Sequence, residues 1–244
     1  MADLVVSVGA RTAQGKRSNN EDAFVVDADH EIYLVADGMG GQEAGEEASK
    51  LAAEIIPTAL TDRLGHEEPD QAVSHALDEA NRAIIAAGLR QTTQRRMGTT
   101  AVVAVRTRDQ VFVGSLGDSR AYLIRGDEVR QLTVDHTVAN ALANNGTLTR
   151  EQARQSPFNN VLYKFLGCAE MTDGPDIVPF TPEAGDRLLL ASDGLTNHVH
   201  PEDLARTAKQ FPRPQDWVDH LVELALQRGS RDNVTCVAVV FSRE

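Results

Sequence analysis

Two segments of the chain end alike. YLVADG at 33–38 and LLLASDG at 188–194 each run through apolar residues into an aspartate and a glycine, Asp37-Gly38 and Asp193-Gly194. An apolar strand that stops at a carboxylate fixes it on a rigid support, and glycine lets the backbone approach a ligand closely. An Asp-Gly pair taken alone is equally an ordinary turn. Three more aspartates flank apolar runs: Asp22, directly after Glu21 and before 23–26, Asp118 after 111–115, and Asp232 before 234–241. Carboxylates brought close together repel, so a cluster of Asp22, Asp37, Asp118, Asp193 and Asp232 is stable only when cations neutralise it. All-oxygen ligation suits hard ions, magnesium or manganese. Zinc would call for an HExxH or a cysteine–histidine pattern, and the chain has neither. Spacing by itself does not show that the five converge.

Such a cluster needs a scaffold. Alternating or wholly apolar short runs predict strands near 4–10, 23–26, 32–36, 100–106, 111–115, 120–124, 187–191 and 234–241. A first long helix carries Ala44, Ala48, Leu51, Ala52, Ile55, Ile56, Ala59 and Leu60 at helical spacing, and a second repeats the rhythm from Val73 to Ala87. A third, 216–228, stops at Gly229, a residue suited to a left-handed helix end. Strands mostly follow strands and helices come in pairs. That order predicts an α+β fold of antiparallel sheets with helices packed outside, not a βαβ alternation. From 137 to 167 the chain is polar and helical in pattern, broken at Asn145-Gly146, with a capping box at 149–152. It reads as a small helical insertion, or as a plain pair of packing helices.

The bulk numbers set limits. With 244 residues and no linker, repeat or low-complexity tract, a single domain over 1–244 is expected, carrying the insertion at about 137–167. A net charge of −12 argues against nonspecific binding to nucleic acid or to an anionic membrane. Cys168 and Cys236 form no CxxC and no disulfide framework, which suits a reducing compartment. No apolar run is long enough to cross a bilayer, and residues 1–10 lack the basic start and apolar stretch of a signal peptide. The expectation is a cytoplasmic protein.

Seven motifs then stand in a telling order: SNNEDAF (18–24), DGMGG (37–41), GTT (98–100), GDSR (117–120), DH (135–136), ASDGL (191–195) and GSRDNVT (229–235). Each is weak singly. Together, over essentially the whole chain, they resemble the type 2C metal-dependent serine/threonine protein phosphatases, and most closely their bacterial single-domain members. The resemblance implies a central sandwich of two antiparallel β-sheets flanked by pairs of antiparallel helices, with a metal cleft at one end. The insertion at 137–167 corresponds to a small flap beside that cleft.

It also implies roles. Asp37 bridges two ions, manganese or magnesium, with the Gly38 carbonyl on one of them. Asp193 and Asp232 complete the other. Glu21 and Asp22 act through metal-bound waters, Asn233, like Glu21, stands behind the residues that bind the ions, and Asp118 shares a third, weaker ion with Asp193. Arg17, four residues before Glu21, holds the substrate phosphate. A metal-activated water would then hydrolyse phosphoserine or phosphothreonine without a covalent phosphoenzyme. Accordingly, neither cysteine sits in a Cys-x5-Arg loop. The expected partners are phosphorylated cytoplasmic proteins and a cognate serine/threonine kinase opposed in bacterial signalling, with no nucleic acid or membrane, and the chain acting as a monomer.

One residue departs from the pattern. Many eukaryotic relatives place a histidine directly after the Asp-Gly, where it is thought to protonate the leaving alkoxide; this chain has Met39, which cannot. His136 and His198 lie near motifs as possible substitutes. Two other classes remain to be weighed. A catalytically weak binding module of the same fold would have lost metal aspartates, and none is missing. A two-metal nuclease would show a basic track, and the chain is acidic.

Overall fold

Side chains alternate across a strand, so a run that is apolar at every position must bury both of its faces. In the computed structural model, which describes residues 4–90, 97–171 and 173–243, the strands do this by packing sheet on sheet inside and helices outside. Residues 1–3 of the 1–10 stretch thus lie outside the described residues.

The elements run β1 (Leu4–Ala13), β2 (Asp22–Asp27), β3 (Ile32–Met39), α1 (Gln42–Arg63), α2 (Pro69–Gly88), β4 (Gly98–Thr99), β5 (Ala101–Thr107), β6 (Gln110–Leu116), β7 (Arg120–Arg125) and β8 (Glu128–Gln131). They continue with α3 (Val138–Asn144), α4 (Arg150–Arg154), β9 (Asp176–Phe180), β10 (Arg187–Ala191), α5 (Asp193–Thr196), α6 (Pro201–Gln210), α7 (Pro214–Gln227) and β11 (Val234–Arg243). One sheet has the order β1-β11-β10-β7-β8 and the other β2-β3-β5-β6-β9, with β4 against β3. The ladders are antiparallel throughout.

The period-2 rule sorts the core into three layers. From β3, Ile32, Leu34 and Ala36 face Ala48, Ile56, Leu60 and Leu77 of α1 and α2. Tyr33 and Val35 instead meet Leu188, Leu190, Val237 and Val239 between the sheets. On the far side, Leu189, Ala191 and Ala238 pack under Trp217 and Leu221 of α7. The expected helix-flanked sandwich is therefore the fold. All the strands and long helices read from the sequence are present, with shifted ends. Helix α7 begins two residues early because Pro214 suits a first helical turn, where no N–H is needed. It stops at Gly229, φ 96°, whose neighbour Ser230 N–H bonds back to the Ala225 carbonyl.

Five elements were not anticipated: β4, β8, β9, α5 and α6. The 137–167 insertion is also less helical than its pattern. It holds only α3, capped by the Thr137 hydroxyl, and α4, whose Thr149–Gln152 capping box forms as expected. The rest folds back on itself: Val138 N–H bonds to the Val161 carbonyl, Tyr163 N–H to the His136 carbonyl, and Leu166 pairs with Thr99 in both directions. Among the described residues no helix is long and apolar enough to cross a membrane.

Candidate metal centre

Strand register makes the first contact. Antiparallel pairing of β2 with β3 sets Asp22 directly opposite Asp37, and opposite residues have Cβ atoms about 4.5–5.5 Å apart. In the other sheet Ala191, the end of β10, lies between Arg120 of β7 and Cys236 of β11. Asp193, two residues beyond that end, is thereby aligned with Asp118, two before β7, and Asp232, two before β11, stands close enough to repel it. Both sheets deliver their carboxylates to the same end of the sandwich. They line a cleft of about 350 Å³ with Asp37, Asp118, Asp193 and Asp232, and Arg17 and Glu21 also face it. Asn160, Leu162 and Phe165 of the insertion form one wall.

The electrostatics follow from crowding. Burial holds Asp37 well above the ordinary carboxylate range, and Asp22, Asp193, Asp118 and Asp232 add repulsion. Burial pushes Asp22 up to about 7, and Asp118 likewise to about 7 with Asp193 beside it. Asp193 is raised by burial and then by Asp232, and it shares a hydrogen bond with Asp37. Burial also raises Glu21. Such a set cannot carry its full charge at neutral pH without a counter-charge.

The donors fit a hard divalent cation. They are oxygens only, and Asp22 Oδ1 is buried with no hydrogen-bond partner, while Oδ2 accepts from the Ser192 hydroxyl at 2.9 Å. An acceptor left over at the centre of a negative cluster is suited to a cation or its water. Among the described residues no three acidic, histidine or cysteine side chains close on one point as a ligand set. Arg17 takes up part of the charge instead, donating from Nη2 to Asp232 Oδ2 at 2.6 Å. The arginine expected to stand ready for phosphate is thus paired with an expected metal ligand.

Behind the carboxylates lies a bracing network that sequence reasoning met only as motifs. Thr100 of GTT donates its N–H to the Asp37 carbonyl and accepts the Asp37 N–H on Oγ1, both at 2.9 Å. The Thr99 hydroxyl donates to the same Asp37 carbonyl, and Thr100 Oγ1 pairs with Ser119 Oγ of GDSR at 2.7 Å. Asn233 sews the approach loop down: its Oδ1 accepts Glu21 N–H, and its Nδ2 donates to the carbonyls of Gln14 and Asn19. Ser192, before Asp193, both donates to Asp22 and accepts Thr235 N–H. Both Asp-Gly glycines are required by close packing. A Cβ on Gly38 would lie 2.1 Å from the Gly45 carbonyl oxygen, and one on Gly194 would lie 1.9 Å from that of Asn233.

Neither histidine faces the cleft. His136 is buried and bonded through both ring nitrogens, to Gly117 N–H and to Asp176. His198 has its Nδ1 buried away from the lining. Met39 does line the cleft.

A helix-flanked double sheet with an acidic, all-oxygen cleft at one end defines the class: a two-sheet protein built to hold divalent cations. The family model described as protein phosphatase 2C matches residues 9–233, and the chain belongs to that family. It is 34% identical to the serine/threonine phosphatase Stp of Listeria innocua over 237 residues, 94% of this chain and 93% of the relative. The crystal structure of the Mycobacterium tuberculosis serine/threonine phosphatase PstP superposes with a TM-score of 0.86 at 34% identity, covering 98% of this chain and 100% of that one. The catalytic domain of a phosphatase PstP in complex with 2 manganese ions matches with a TM-score of 0.81 at 33% identity, covering 98% of this chain and all of that one.

Proposed function

We infer that this cleft removes phosphate from phosphoserine and phosphothreonine side chains of proteins, with manganese or magnesium as cofactor. The carrying observation is the gathering of five aspartates from two sheets at one end of the sandwich, with an unpartnered Asp22 oxygen among them. Family membership and the manganese-bound relative support the same reaction. Asp37 would hold both core ions, the Gly38 carbonyl one of them, and Asp193 and Asp232 the other. Asp22 and Glu21 would act through water, and Asp118 with Asp193 would hold a third ion. Bound there, the ions supply Lewis acidity that activates water and neutralises phosphoryl charge.

The chain's own groups do the rest. Arg17 offers phosphate a planar fork that lysine cannot copy. To do so it exchanges Asp232 for phosphate oxygens. Its side chain is 57% exposed, and exposed ion pairs are worth about 0–1 kcal/mol, so the exchange costs little. Asn160, Leu162 and Phe165 stand where residues flanking the phosphate would pass, so the flap selects substrates. Met39 holds no proton to give the leaving alkoxide. We take the substrates to be cytoplasmic phosphoproteins, the counterpart a serine/threonine kinase, and the working unit a monomer of one catalytic domain over 1–244. Turnover of a phosphothreonine peptide with manganese, and its loss on chelation, tests the core of this reading. Full activity after exhaustive chelation would overturn it.

A further inference from the structure

The DH pair, Asp135-His136, is a motif for which the carboxylate cluster leaves no role, yet it brackets Asp118. On one side Asp135 binds Arg120 through Nε and Nη2, at 2.9 and 2.6 Å. On the other, His136 grips Gly117 twice. Its backbone N–H donates to the Gly117 carbonyl at 2.9 Å, and its Nδ1 accepts the Gly117 N–H at 3.0 Å.

An N–H can point at Nδ1 only if that nitrogen carries no proton, so the ring is neutral with its hydrogen on Nε2. Nε2–H then donates to Asp176 Oδ2 at 3.1 Å, and Lys164 Nζ holds the other oxygen of Asp176 at 2.7 Å. Burial pushes the imidazole pKa below its ordinary value, in keeping with a ring that stays neutral. The gripped residue is the hinge of the turn. Gly117 has φ 100°, a conformation open to glycine and costly for most other residues, and Asp118 follows it directly.

We propose that His136 is a positioning residue for the phosphatase reaction: a neutral imidazole, braced by Asp176 and Lys164, that fixes the Gly117 amide and so aims the Asp118 carboxylate into the cleft. This rests on the role proposed above for Asp118. A residue that orients a ligand from behind typically carries ten- to a hundred-fold in activity or metal affinity, as an order of magnitude.

Two substitutions separate aiming from filling. In His136→Asn the side-chain oxygen takes the place of Nδ1 and can still accept Gly117 N–H. In His136→Gln the amide reaches toward Asp176 and leaves Gly117 N–H unpaired, although glutamine fills more of the ring's volume. The purified, manganese-loaded variants are compared with wild type and Asp118→Asn for turnover of phosphothreonine peptide and of nitrophenyl phosphate. Amide hydrogen exchange at 117–119, melting temperature, and nitrogen-15 NMR of the ring are followed alongside. The expected order places His136→Asn near wild type, while His136→Gln loses about ten- to a hundred-fold on the peptide. Exchange at 117–118 should rise in His136→Gln, and the wild-type Nδ1 should resonate as unprotonated. A glutamine variant as active as the asparagine one, or a protonated Nδ1, overturns the proposal. If Asp118→Asn is crippled and His136→Gln is not, only the part given to His136 falls. If Asp118→Asn keeps wild-type rates, the Asp118 role falls and the aiming role falls with it.

Discussion

The two Asp-Gly segments are nearly the same in sequence and differ in how the backbone carries them. Asp37 lies inside β3, one residue from its last glycine, with its amide and carbonyl tied to Thr99 and Thr100 and its side chain opposite Asp22. Asp193 stands past the end of β10 and opens the single turn α5, behind Ser192, whose N–H bonds to the Thr235 carbonyl. One carboxylate is held by a ladder, the other by a turn that the last strand pins. Yet both following glycines answer the same need, a neighbouring carbonyl within about a bond's reach of any added Cβ. An Asp-Gly at a strand end therefore specifies a carboxylate at that edge and close backbone beneath it. It does not specify the support.

The difference can be broken or sharpened by experiment. The largest effect is expected at the ladder-held residue: Asp37→Asn should lose more than the ten- to hundred-fold, in order of magnitude, that outer partners carry, and Asp193→Asn should lose less. Both should leave the metal-free fold at least as stable, since each removes a charge from a repelling group. Steady-state rates and melting curves check this, and an equal loss at Asp193 would erase the distinction.

The glycines should instead behave alike. Gly38→Ala and Gly194→Ala each push a Cβ into backbone, so both should lower stability by about 1–3 kcal/mol or more, measured by denaturant unfolding. A neutral Gly38→Ala would mean that the ladder end yields where the turn does not.

Arg17 makes its ion pair with the turn-side set, through Asp232. Arg17→Ala should raise KM about ten-fold with a smaller fall in kcat, and Arg17→Lys should recover part of it. An unchanged KM would remove phosphate binding from Arg17.

The smallest effect is on pH. Asp22, on the ladder side, and Asp118, on the turn side, both sit near 7 in the fold because of burial, against an ordinary 3.8. A carboxyl raised on folding contributes stability that is complete below about 4 and is lost as pH rises through about 7. Metal-free protein should thus melt lower at pH 8 than at pH 5, and manganese should flatten the slope. Asp22→Asn and Asp118→Asn should each remove part of it; if only one does, calorimetry will have identified the side that bears the strain.

Much of this was legible beforehand, for physical reasons. Strands buried on both faces, such as 32–36 and 187–191, announce themselves as continuous apolar runs. The alanine-rich stripes of α1 and α2 do so by period. What escaped was marginal or edge structure. EVRQ of β8 buries no residue fully, and β9 contains Pro179, which an edge strand tolerates because one side of it donates no ladder bond. Helix α6 is polar, burying only Leu204, Thr207 and Ala208. At the site, composition named the aspartates, but only register could put Asp22 across from Asp37. No spacing rule reveals that Arg17 meets Asp232 or that His136 is spent on Gly117.

The pairing of β1 with β11 has a consequence in time. Ten consecutive residues of the first strand align with the last, from Leu4 opposite Arg243 to Ala13 opposite Val234, and Arg17 meets a partner 215 positions later. A chain emerging from the ribosome can form the helical layer early, but it has no Asp232, no Asn233 and no closed first sheet until β11 appears. On the role proposed for Asp232, a nascent chain that still lacks β11 is catalytically silent, and competence arrives only once β11 has emerged.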